Sequence, residues 1–292
     1  MVLEHTAARS AALLSILRRE MSLSSGLVKR LKWQNALFLD GRPVHTDARV
    51  LPGQRILVVL DEQTDGFPAE ALPLDVLYED ESCIALDKPA GLLVHPSPQR
   101  NCGTLANGLL HYYEHTGQRC GVHPVSRLDR DTFGVILFAK NAYTHEAFRQ
   151  LHRAGALEKT YQAAVFGGPP AEAGLISLPI FKLGGGSLLR IVDPRGQHAE
   201  TRYRVLARQE GPVSLLELRP LTGRTHQLRV HCRACGFPIL GDPQYATAAS
   251  RLWSAAVGLS TQQLCAVRLS FRHPLTGEEI CIESRQRVRF SR

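Results

Sequence analysis

Apolar positions along this chain follow two patterns in turn. Within the first sixty residues they recur at helical spacing over 7–20, and a second amphipathic stretch runs from Ser24 to Gln34. Ser24 or Ser25 is placed to cap that second helix, and Lys29, Arg30 and Lys32 give it a basic turn. Two short apolar runs follow, ALFLD and RILVVL, the first ending in a Gly41-Arg42 turn. Beyond residue 80 short apolar runs predict strands at 82–87, 134–139, 159–166, 213–219 and 264–270. Interleaved stretches predict helices at 104–115, 141–154 and 224–235. This mixture predicts an α+β fold whose sheet is long enough to hold a cleft. In 158–167 strict alternation puts Tyr161, Ala163 and Val165 on one face of a strand.

Charge divides the chain further. Residues 1–60 carry nine basic and four acidic side chains, residues 61–87 nine acidic and no basic ones, and residues 88–292 twenty-six basic against fourteen acidic. The acidic, Pro-containing stretch DEQTDGFPAEALPLD reads as a linker, so a boundary is expected near residue 65, with one domain over 1–65 and another over 66–292. A net charge of +8 and a pI near 9.3 suit a partner that is a polyanion, nucleic acid first. With 292 residues, 44% of them hydrophobic, the chain can bury a core without disulfides or metal staples. No apolar run approaches the roughly 18 residues of a membrane span, and the N-terminus lacks the layout of a secretory signal. Seven scattered cysteines do not form a disulfide framework, which favours a reducing cytoplasm.

Three segments carry candidate chemistry. SRLDRDTFGVILFAK (126–140) crowds Arg127, Asp129, Arg130 and Asp131 onto a polar loop before an apolar strand. Guanidinium groups keep such carboxylates ionised, but a surface ion-pair cluster would look the same. LTGRTHQLRVHCRACGFPILGDPQYA (221–246) ends a strand at Thr222-Gly223, and 224–233 then reads as a basic helix whose N-terminus, with Arg224 and Thr225, could hold a phosphate. A solvated helix with core histidines reads equally well. Tyr161, in EKTYQAAVFG, is by pattern either core or catalytic. His231, Cys232 and Cys235 lack the second pair that zinc needs, so packed thiols are expected. A glycosidase pair of Asp129 and Asp131 is disfavoured, because two carboxylates on one loop have no visible way to flank a sugar.

Taken in order, YEDESCIALDKPAGLLVHPS, TLANGLL, RLDRDTFGVILFAK, KTYQAAVFG, LPI, HAETRYRVL, TGRTHQLRVH, GFPILGD and FRHPLTGE resemble the RNA pseudouridine synthases of the RluA/RluD family over about 215 residues. SSGLVKRLKWQNALFLDGRPVHTDARVLPGQRILVVL resembles the small S-four-type RNA-binding module, through Ser25, Leu39-Asp40-Gly41 and Pro52-Gly53-Gln54, although the usual Arg-Leu-Asp-Lys opening is absent. The resemblance implies a mixed, largely antiparallel central sheet with a catalytic cleft and flanking helices, preceded by a small α/β RNA-binding domain. It implies Asp129 as the essential carboxylate, Arg229 as its partner, Tyr161 as the active-site tyrosine and Arg127 as the side chain that fills the gap left by a flipped base. Lys159, Arg224, Thr225, His226 and Gln227 are the implied substrate-binding residues. Neither cofactor nor metal is implied. The expected partner is RNA, with ribosomal RNA favoured over transfer RNA, and the expected state is a cytoplasmic monomer away from membranes. Ser126, Phe133, Asp87 and Cys265 depart from the family pattern. By the resemblance all four are expected at or near the cleft, and Ser126, Phe133 and Cys265 motivate the alternative of a non-catalytic RNA-binding or ribosome-assembly factor.

Overall fold

The computed structural model describes residues 1–62, 66–97, 99–184, 189–209 and 211–290. The N-terminal part runs through β1 (Val2–Thr6), β2 (Ala11–Ala12), α1 (Leu13–Arg19), α2 (Ser25–Trp33), β3 (Leu37–Leu39), β4 (Arg42–Pro43), β5 (Arg49–Val50) and β6 (Arg55–Val59). Four of these strands form an antiparallel sheet in the order β1-β6-β3-β4. Leu13, Ile16 and Leu17 of α1 and Leu27, Val28 and Leu31 of α2 pack with Ile56 and Val58 into one small core.

The helix expected over 7–20 begins only at Leu13. Backbone pairing claims the residues before it: Ala7 N–H donates to the Gln54 carbonyl (3.0 Å), Gly53 N–H to that of Ala7 (2.8 Å), and β2 pairs with β5. Ala12, at the N-cap, offers no side-chain acceptor. The first-turn amides of Leu13 and Leu14 donate instead to the Ala48 and Thr46 carbonyls, which satisfies donors that a helix start leaves open. Ser24, not Ser25, caps α2, its hydroxyl accepting from Leu27 N–H at 3.2 Å. The boundary expected at residue 65 lies outside the described residues.

The second part comprises β7 (Val76–Glu79), β8 (Cys83–Lys88), α3 (Leu105–His115), β9 (His123–Pro124), β10 (Phe133–Ala139), α4 (Ala142–Arg153) and β11 (Leu157–Phe166). It continues through β12 (Ala173–Ser177), β13 (Ile180–Lys182), β14 (Arg190–Val192), β15 (Glu200–Arg208) and β16 (Val213–Pro220). Helices α5 (Gln227–Ala234) and α6 (Ala248–Ala256) and strands β17 (Leu264–Arg272) and β18 (Glu279–Glu283) complete it. Ten strands make one mixed sheet ordered β12-β15-β16-β11-β17-β10-β8-β7, with β18 beside β17 and β9 beside β10. Every pairing in it is antiparallel except β10 with β17.

Its central strands are buried on both faces, which is why they read as unbroken apolar runs. Ile84, Leu86, Ile136 and Phe138 meet α3 and α5 on one face, while Cys83, Ala85, Val135 and Leu137 meet Phe148 of α4 on the other. On the first face the register aligns Lys88, Gly134, Ala266, Tyr161 and Leu218 in a single row across β8, β10, β17, β11 and β16. Gly134 must be glycine: its φ is +105°, and a Cβ there would lie 2.3 Å from the Ala266 carbonyl oxygen.

The two parts meet at the buried Glu62. Its carboxylate accepts from both terminal nitrogens of Arg30 on α2 (2.8 and 3.2 Å) and from Ala142 N–H at the start of α4 (2.9 Å). No helix among the described residues is long and apolar enough to cross a membrane.

Candidate active site

Asp129 sits on the turn that feeds β10, near enough to Tyr161 and Lys88 of that row for its charge to act on both. The turn is held from below: buried Lys88 donates to the Arg130 carbonyl (2.7 Å) and to that of Pro89 (2.9 Å). Burial pulls the Lys88 ammonium down to about 8, against the pull of the Asp131 and Asp129 carboxylates. Asp129 itself keeps 27% of its side chain exposed, so one edge remains open to a substrate.

Arg229, from the first full turn of α5, reaches across to it. Its Nη1 donates to Asp129 Oδ2 at 2.9 Å, while Nε and Nη2 grip the buried Asp242 carboxylate at 2.7 and 2.9 Å. Nη2 also donates to Gln244 Oε1 (2.9 Å), and the guanidinium lies 4.9 Å from the Tyr245 ring. Burial works against this cation, but the Asp242 hydrogen bonds and both carboxylates raise its pKa above the ordinary value. One fixed guanidinium thus spans two carboxylates, one sealed and one accessible.

The second oxygen of Asp129 faces His226, whose Nε2 is 3.9 Å away. Tyr245 orients that ring. Its hydroxyl accepts from Arg190 N–H (3.0 Å) and shares a hydrogen bond of 2.8 Å with His226 Nδ1, which turns Nε2 toward Asp129. Burial lowers the pKa of His226 against the opposing pull of Asp129, and the Arg229 and Arg190 charges add to the lowering. Tyr161, 8% exposed, faces the same place, and burial, with Asp129 next, raises its phenol well above the ordinary value. Burial brings Lys159, two residues before it, down to about 8.

The sequence-derived residues therefore separate into groups. Asp129, Tyr161, Arg229 and His226 converge. Arg127 is exposed beside them. Arg224 and Thr225 are exposed too, but not on a helix: the helix expected at 224–235 starts at Gln227, because His226 takes a left-handed conformation (φ 57°) and the chain before it is a loop. Gln227 is buried, and its amide is spent within the protein. Its Oε1 accepts from Thr222 Oγ1 (2.8 Å) and Arg224 N–H (3.0 Å), and its Nε2 donates to the Glu200 carbonyl (2.8 Å). A contact from Gln227 to substrate is thereby replaced by bracing of the loop. His231 is held by Thr201 Oγ1 and the Leu178 carbonyl. Cys232 is buried while Cys235 is exposed, so these three do not converge as ligands.

The departures from the family pattern are also relocated. Phe133 and Cys265 pack with Val288 against the opposite face of the sheet, and Asp87 accepts from Ser284 Oγ, Arg285 N–H and Gln286 Nε2 of the C-terminal segment. Alternation along β10 and β17 turns these side chains away from the row. Four residues of the site carried no assigned role in the sequence: Asp242, Gln244, Tyr245 and Lys88. The available signal was a lone carboxylate in the apolar stretch ILGDPQY, thirteen residues after Arg229.

The family model described as "RNA pseudouridylate synthase" matches residues 82–234. The chain is 34% identical to the uncharacterized RNA pseudouridine synthase YhcT of Bacillus subtilis, over 93% of this chain and 88% of that protein. It is 35% identical to the ribosomal large subunit pseudouridine synthase D of Vibrio parahaemolyticus, over 80% of this chain and 73% of that one. The solved structure of human RNA pseudouridylate synthase domain containing 4 superposes with a TM-score of 0.58 at 25% identity, covering 74% of this chain and 88% of the human one. The fold, the spacing of the motifs and these likenesses agree, and the chain belongs to the RNA pseudouridine synthase family, isomerases that act on RNA.

Proposed function

We propose that this enzyme isomerises specific uridines of structured RNA, large-subunit ribosomal RNA foremost, with Asp129 as its essential carboxylate. The observation that carries the reading is the 2.9 Å pair of Arg229 and Asp129 beside the buried Tyr161. In the reaction the uracil's N1–C1′ bond breaks, the ring turns, C5 bonds to C1′, the C5 proton leaves to solvent, and N1 takes up a proton in its place. Electrons balance within the nucleotide, and the carboxylate must stay ionised at the sugar, which the fixed Arg229 charge favours. Taking the base out of its stack costs roughly a few kcal/mol. Tyr161 stacks on the extruded uracil, and the exposed Arg127 enters the vacated space. Arg224 and Thr225, on their exposed loop, serve the backbone phosphates, and His226 lines the pocket for the base, whereas Lys159, whose strand partner Leu269 packs on the other face of the sheet, acts from outside that pocket. Residues 1–65 serve as an RNA-binding module of the S-four type, joined to residues 66–292 as the catalytic domain. The large-subunit name of the Vibrio relative supports ribosomal RNA.

The test is tritium release from RNA labelled at uridine C5, taken from cells lacking this protein. Wild-type protein is expected to release tritium, and Asp129→Asn to fall by at least about 10²-fold while still binding RNA. Equal release by the two proteins would remove Asp129 from the chemistry.

A further inference from the structure

Trp33, the last residue of α2, is 78% exposed, the most exposed large apolar side chain among the described residues. It is no misplaced core residue. At 3.6 residues per turn, the buried Leu27, Val28 and Leu31 occupy one side of α2, and Trp33 falls on the side directly opposite. It makes no ring contact or hydrogen bond among the described residues, so the fold gains nothing visible from it. Lys29 lies one turn before it on the same line. Gly26 lies a turn further, where an added Cβ would meet nothing within 4 Å. Helical side chains lean toward the N-terminus, which carries the indole over the Lys29 turn. Arg30 is held by Glu62, whereas Lys29 and Lys32 are exposed and unpaired among the described residues. The result is an open aromatic face with two mobile cations at its rim and no carboxylate on the helix.

We propose that Trp33, flanked by Lys29 and Lys32, is a stacking platform for an unpaired nucleobase of the RNA substrate, outside the catalytic site. The platform rests on the reading of residues 1–65 as an RNA-binding module, and specifies what that module recognises. A flat face with a cationic rim fits a base between two phosphates: stacking on an aromatic ring accepts any base, and ammonium groups meet the backbone on either side. On α2 itself no other large apolar side chain is exposed beside Trp33, which disfavours a protein partner docking through an apolar patch of this helix. An aromatic platform outside the site adds discrimination for an unpaired nucleotide, which a purely basic helix does not supply.

The chain has two tryptophans, so full-length Trp253→Phe leaves Trp33 as the sole indole reporter. It is titrated with a stem-loop RNA and with a blunt duplex of equal length and charge. Trp33 fluorescence is expected to be quenched by the loop RNA and not by the duplex. Trp33→Ala should weaken loop binding about tenfold, Trp33→Phe should restore most of it, and duplex affinity should stay within twofold. Equal quenching by both RNAs, or unchanged loop affinity in Trp33→Ala, overturns the platform while leaving the module intact. Failure of either RNA to bind at low salt overturns the module and the platform together. A change of sedimentation in Trp33→Ala without RNA would mark the patch as a contact between copies of this chain, and would also overturn the platform. Asp129→Asn should bind and quench like the parent, which keeps this test separate from that of the catalytic carboxylate.

Discussion

Arg229 in the site and Lys29 on the small N-terminal sheet's helix are both cations of short basic helices, and their surroundings give them opposite properties. Arg229 keeps 6% of its side chain exposed and is fixed by two carboxylates, whereas Lys29 is exposed and unpaired among the described residues. The first charge is held by hydrogen bonds on three of its nitrogens and barely screened. The second is mobile and acts through a field that decays over about 8–10 Å in physiological salt. A reaction that stabilises charge at one atom requires the first kind; gathering a polyanion requires only the second. In the one-dimensional pattern the two helices look alike, and burial is what separates them.

If that contrast is right, the largest effect comes from breaking the sealed half of the Arg229 clamp. Asp242→Asn leaves a buried guanidinium short of a countercharge, which costs about 3–5 kcal/mol. Urea unfolding should show the loss, and tritium release should fall with it as Asp129 loses its fixed partner. A variant as stable as the parent would mean that Asp129 alone suffices to hold the arginine. Tyr245→Phe is the next step down. It keeps the ring beside Arg229 but removes the hydroxyl that is hydrogen-bonded to His226 Nδ1, so the imidazole beside Asp129 loses the partner that orients it. The expected result is a fall of about tenfold in kcat with KM for RNA little changed, since general acid–base positioning contributes factors of this order or more. An equal rise in KM would instead assign Tyr245 to binding.

The same contrast explains what was legible in the sequence. Strands β8 and β10 read correctly because burial on both faces makes their apolar runs nearly continuous, whereas β11, β16 and β17, with exposed or half-buried positions among buried ones, were legible from shorter apolar stretches and alternation. Asp129 stood out because its motif crowds charge into a loop before β10, whereas Arg229 read as one cation of a basic helix and drew its role from the family resemblance. By contrast β1 reads poorly: VLEHT places Glu4 and His5 among its residues, and it becomes a strand only by pairing with β6, more than fifty residues away. The start of α1 is likewise set by the loop carbonyls of Thr46 and Ala48 rather than by a local cap. Asp242 and Tyr245 were invisible as site residues because their roles depend on a chain reversal that brings them under α5. Phe133 and Cys265 were misplaced for a similar reason, since nearness in sequence to the motif does not say which face of the sheet a side chain takes.

A buried cation without a carboxylate tests the comparison from the other side. Burial lowers Lys159 from 10.5 to about 8, and no carboxylate pairs with it among the described residues. Between pH 8 and 10.5 the unfolded chain therefore holds a proton that the folded protein has released, so stability rises with pH across that window. Lys88, also near 8, adds to the rise. Lys159→Met should remove its share, making the gain between pH 8 and 10 smaller by about 1–2 kcal/mol in urea unfolding at each pH. An unchanged slope would mean that Lys159 keeps its proton in the fold, as a paired cation would.

The smallest effect is expected at the exposed end. Lys32→Ala removes a solvated charge with no partner among the described residues, so the unfolding free energy should move by no more than about 0.5 kcal/mol. RNA affinity should fall only a few-fold, and the slope of log K against log salt should drop by about 0.7–0.9, the contribution of one phosphate contact. The slope is the decisive quantity, because a loss of affinity alone could follow from local unfolding of α2. If the slope holds while affinity falls, Lys32 acts through structure and the two basic helices differ less than their burial suggests. A lower slope at unchanged stability would show that the cations of α2 work as free charges, while those around Asp129 work as fixed ones.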